Sequence, residues 1–87
     1  MKTEEIISEG ILKLVNTMDI ERFSKEVKKK KGEEVYFVNV SVALNVNKIF
    51  AKERLHHWLK IIFRDSKLCF EVVSNTYGCY TLIFKKI

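Results

Sequence analysis

The chain has 87 residues, 47% of them hydrophobic and 31% charged, with no proline and a formal net charge of +5. A chain of this length and composition closes one core and is read as a single domain over 1–87, away from disordered or low-complexity classes. No apolar run approaches the roughly 20 residues that span a bilayer, and glutamates interrupt the start MKTEEIISEG where a secretory signal needs an apolar core. A cytoplasmic location without membrane contact is the expectation, and Cys69 and Cys79 fit a reducing compartment without a disulfide framework.

Thr3 followed by Glu4 and Glu5 reads as a cap with acidic residues in a first turn, where the helix dipole favours them. Ile7, Ile11, Leu14, Val15 and Met18 recur at helical spacing, which predicts a helix over about 4–17 that Gly10 weakens slightly. Asp19 is placed to cap a second helix carrying Ile20, Phe23 and Val27, with Gly32 as its stop. Lys28, Lys29, Lys30 and Lys31 then fall in its last turn, where cations complement exposed carbonyls or, alternatively, form a secondary basic patch for phosphate.

The stretch Tyr36–Val46 organises the rest. Its even positions Tyr36, Val38, Val40, Val42, Leu44 and Val46 are apolar, and Asn39, Ser41, Ala43 and Asn45 between them are polar or small. Period two over so many residues is a half-buried strand. At about 36 Å it is long enough to bend, to bulge, or to overhang and pair with a second copy of the chain.

Segment 48–64, with Asn47 as cap, reads as a third helix through residue 60 or beyond. Ala51, Leu55, Trp58, Leu59 and Ile62 form its apolar stripe, with Trp58 as the anchor on the sheet. A switch to strand over 57–64 is the alternative. Leu68, Phe70 and Val72, then Tyr80, Leu82 and Phe84, predict a terminal hairpin turning at 75–78 with Gly78 left-handed. That register sets Phe70 opposite Phe84 and Val72 opposite Leu82, and keeps the two cysteines apart. The expected fold is therefore α+β in the order α-α-β-α-β-β, with a mainly antiparallel three-stranded sheet. Two helices followed by a four-stranded antiparallel meander is the runner-up.

Catalytic signatures are missing: there is no phosphate-binding glycine loop, no nucleophile elbow and no telling carboxylate pair, so no enzyme, metal site or cofactor is expected. Adjacent His56 and His57 point about 100° apart on a helix and do not chelate one ion as an i, i+4 pair does. The charge is unevenly spread. Residues 1–34 balance eight cations with eight anions, whereas 35–87 hold eight cations against Glu53, Asp65 and Glu71, which is the whole excess. Lys52, Arg54, His57, Lys60, Arg64 and Lys67 are the candidate nucleic-acid contacts, following DNA or RNA phosphates by counterion release. The alternative is a protein-binding inhibitor or regulator, of viral or mobile-element type, acting as a homodimer or by strand addition.

Overall fold

The structure is a computed structural model that describes residues 3–18, 20–30, 33–42, 51–75 and 78–86; along 21–22, 24–30 and 33–34 it describes the backbone alone. Two helices, α1 (Thr3–Thr17) and α2 (Ala51–Ile62), alternate with two hairpins, β1 (Ile20–Lys30) with β2 (Glu33–Val42) and β3 (Leu68–Ser74) with β4 (Cys79–Lys86). The strands form one open antiparallel sheet in the order β1-β2-β4-β3. The α+β class and the antiparallel sheet agree with the sequence, and the three expected strands are β2, β3 and β4. The order does not agree, because the expected second helix is β1 and the order is α-β-β-α-β-β. The meander is excluded too, since α2 covers most of 57–64 as helix.

The misreading of β1 has a physical cause. Its register slips between Ile20 and Arg22, so Ile20 pairs with Val42 and Phe23 with Val40. Three residues of β1 thus pass two of β2. That bulge gives Ile20 and Phe23 partners on the same face, and with Val27 opposite Tyr36 the apolar spacing imitates helix period. Lys28, Lys29 and Lys30 are consequently strand residues opposite Val35, Glu34 and Glu33 rather than a helix terminus. Asp19, Lys31 and Gly32 lie outside the described residues, as do 43–50, which include Asn47 and the last third of the expected long strand.

Both helices pack on one face. Ile7, Ile11, Leu14 and Met18 of the first helical segment and Ala51, Leu55, Leu59 and Phe63 of the second meet Tyr36, Val38, Val40, Val42, Leu68, Val72, Tyr80, Leu82 and Phe84 in one core. Trp58, expected at the centre of the stripe, is half-buried at its margin, where its ring meets His57 edge-on at 5.3 Å. On the opposite face Thr81 Oγ1 donates to Asn39 Oδ1 at 2.8 Å and accepts from Asn75 Nδ2, joining β2, β4 and the residue that follows β3 through polar side chains.

The terminal hairpin has the expected register, with Phe70 opposite Phe84, Val72 opposite Leu82 and Cys69 opposite Lys85. Both cysteines are free. Gly78 has φ 81° and its carbonyl accepts from Val42 N at 2.8 Å, tying the hairpin tip to the end of β2. An L side chain disfavours that conformation by about 1–2 kcal/mol, so Gly78→Ala is expected to lower the denaturation midpoint by that equivalent in a urea titration.

Order and pairing make the molecule two αββ halves about an approximate two-fold axis between β2 and β4. The paired ranges centre on Val38 opposite Leu82. Matching these two strands places Val40 in the role of Phe84, and their outer neighbours Phe23 and Phe70 then correspond. Matching the helices at Thr3 and Ala51 aligns buried Ile7 with Leu55 and buried Ile11 with Leu59.

Candidate nucleic-acid interface

In α2 the core stripe is Ala51, Leu55 and Leu59, flanked by partly buried Ile62 and Trp58. Every ionisable residue of the helix is exposed. At about 100° per residue, Lys52, His56 and Lys60 form one i, i+4 row, with about 6 Å of axis between successive members. A ring contact fixes where that row lies: the His56 imidazole sits 5.3 Å from Phe70, on the outer strand β3. The row therefore runs along the β3 margin of the molecule.

Lys67 stands exposed immediately before β3. Leu68 pairs with Lys86 and Cys69 with Lys85, and both lysines are exposed, so three cations gather at the end of the terminal hairpin. Lys85 is also opposite Val35, whose other partner is Lys28. By backbone position, the run Lys28–Lys30 thus ends at the same end of the sheet. Lys85 and Lys86 were missed as site residues although the hairpin register itself implies their place beside Lys67.

The six candidates do not form one surface. Lys52, Lys60 and Lys67 belong to the β3 margin, and His56, not His57, completes the row. Arg54 lies about 200° around the helix from Lys52, and His57 about 100° from His56. Arg64 follows the end of α2, and its Nε lies 3.9 Å from the Asp65 carboxylate, with both side chains almost fully exposed. So exposed a pair is screened and contributes within about 1 kcal/mol. Among the described residues no ion pair joins Lys52, Lys60 or Lys67 to a carboxylate.

Among the described residues no three His, Cys, Asp or Glu side chains are grouped as a metal site, and no helix is long and apolar enough to cross a membrane. No model of a known protein family matches the chain, and no match is found among curated proteins or solved structures.

Proposed function

We propose that the protein is a small basic, non-enzymatic cytoplasmic module that binds DNA or RNA through its phosphate backbone. The observation that carries this reading is the exposed row Lys52, His56 and Lys60 along the β3 margin, with no carboxylate partner for Lys52 or Lys60 among the described residues, extended by the exposed Lys67, Lys85 and Lys86. Cations held at fixed intervals on a packed helix release condensed counterions from a polyanion and carry no base readout. Affinity is therefore set by ionic strength more than by sequence.

Titrating labelled duplex and single-stranded oligonucleotides at several salt concentrations tests this. The slope of log K against log salt is expected to shrink by about 0.9 for duplex, or about 0.7 for single strands, for each phosphate contact removed. The variant K60A/K67A should lose up to two such steps, whereas Glu71→Gln on the adjoining strand β3 should not reduce the slope. Absence of binding at low salt sinks the reading.

A regulator that binds protein by strand addition is the second reading. β3 favours it, as an outer strand of seven residues with one side unpaired among the described residues. Of the expected pairing along 39–46, the described part offers no free edge: β2 lies between β1 and β4, with Asn39, Val40 and Ser41 paired on both sides, and 43–46 lie outside the described residues.

A further inference from the structure

The two helices hold equivalent places in the αββ halves, and comparing them isolates one row of side chains. With Thr3 matched to Ala51, the α2 positions Lys52, His56 and Lys60 correspond to Glu4, Ser8 and Leu12 of α1. Core positions agree in kind, as Ile7 with Leu55 and Ile11 with Leu59, whereas this row is acidic, polar and apolar in one half and basic, aromatic and basic in the other. The scaffold itself therefore demands neither the cations nor the ring.

The middle of the basic row is an aromatic pair. His56 is exposed, and its ring centroid lies 5.3 Å from that of Phe70 with the planes at 59°. Phe70 shares the helix-covered face with its strand partner Phe84, but Phe84 is fully buried and Phe70 only half-buried. The pair thus reaches from the margin of the core to solvent. About one helical turn to either side, some 6 Å along the axis, stand the exposed Lys52 and Lys60. Glu53 lies about 100° around the helix from Lys52, and Glu71 alternates to the other face of the sheet from Phe70, so neither carboxylate belongs to the row.

Neutralising phosphates uses the lysines and leaves the rings without a task. Rings flanked by cations suit a strand whose bases are unpaired, because every base has a π-face that a duplex keeps stacked inside. We propose that the ligand of the β3 margin is single-stranded nucleic acid, with one unpaired base stacked on the His56 and Phe70 pair and Lys52 and Lys60 holding the phosphates on either side. This rests on the phosphate-binding reading above and narrows it to one class of ligand. Base stacking is indifferent to base identity, so the site binds single strands without reading their sequence.

Fluorescence anisotropy of the full chain tests this at one low salt concentration, with oligothymidine, oligouridine, an abasic deoxyribose phosphate strand of equal length and a duplex as probes. Strands with bases should bind at least about fivefold more tightly than the abasic strand, the lower bound for one stacked base, and should outcompete the duplex. Oligothymidine against oligouridine tells DNA from RNA. Phe70→Leu and His56→Ala should each erase the ratio of base-bearing to abasic affinity, and His56→Phe, which returns a ring, should restore it. Circular dichroism confirms that each variant is folded; His56 is on the surface, so its two variants decide the matter even if Phe70→Leu does not fold. Equal affinity for base-bearing and abasic strands overturns the stacking site and leaves the phosphate reading standing. So does a ratio that survives His56→Ala, or a duplex bound more tightly than either single strand. Absence of binding to every probe overturns both.

Discussion

Phe84→Ala is expected to destabilise the protein by about 3–5 kcal/mol, the usual cost of emptying an aromatic site in a core that only partly collapses. Phe84 is fully buried on an interior strand, opposite Tyr36 on one side and Phe70 on the other. Its ring also lies 5.0 Å from that of Phe63, tilted by 55°, within the range of favourable aromatic pairs. The truncation thus removes apolar burial from the sheet and the support of the segment that follows α2. Small domains hold about 5–15 kcal/mol in total, and an 87-residue chain belongs toward the lower end, so the variant should have little margin at 25 °C. Urea denaturation should show a midpoint lowered by this equivalent with the slope retained. A loss below about 1 kcal/mol would mean that the neighbouring rings close the space.

Gly10→Ala is expected to destabilise, although alanine in the middle of a helix ordinarily gains about 1 kcal/mol over glycine. Gly10 is buried in α1, and a Cβ there would collide with Phe63 Cζ and lie 2.6 Å from its Cε1. The Phe63 ring has little room to retreat, being itself buried against Phe84. Overpacking of this kind costs about 1–3 kcal/mol, which offsets or exceeds the gain in helix propensity. The discriminating measurement is a double-mutant cycle with Phe63→Leu. The alanine should be less harmful beside leucine, with a coupling of about 1 kcal/mol or more. A more stable Gly10→Ala single variant would show that the two segments separate easily.

Much of this architecture was legible from period alone. The alternation through Tyr36, Val38, Val40 and Val42 and the matched alternation of β3 and β4 placed the inner strands and the terminal register correctly. The glutamates and apolar spacing of α1 did the same for the first helix. What failed was β1, where a bulge disturbed the alternation and where lysine and glutamate suit a helix better than a strand. Pairing with β2 outweighed that local preference.

The candidate surface was legible by composition and not by position. Counting cations assigned the excess charge to the second half of the chain, but counting does not distinguish the flanks of a helix. The contact between His56 and Phe70 does, because it ties one row to one strand. Gly10 was a similar case. Its tolerance in a helix reads as a weakness until the Phe63 ring is placed against it.

The duplicated αββ arrangement also bears on how the chain reaches its native state. Each half zips its own hairpin between neighbours in sequence, a step of microseconds, and among the described strand pairings the seam of β2 with β4 is the one that joins residues some forty positions apart, such as Val38 and Leu82. Assembly thereby becomes a search for one seam between two locally organised pieces. Variants that weaken that seam, those of Phe84 and Tyr36 foremost, are therefore expected to slow folding in stopped-flow refolding.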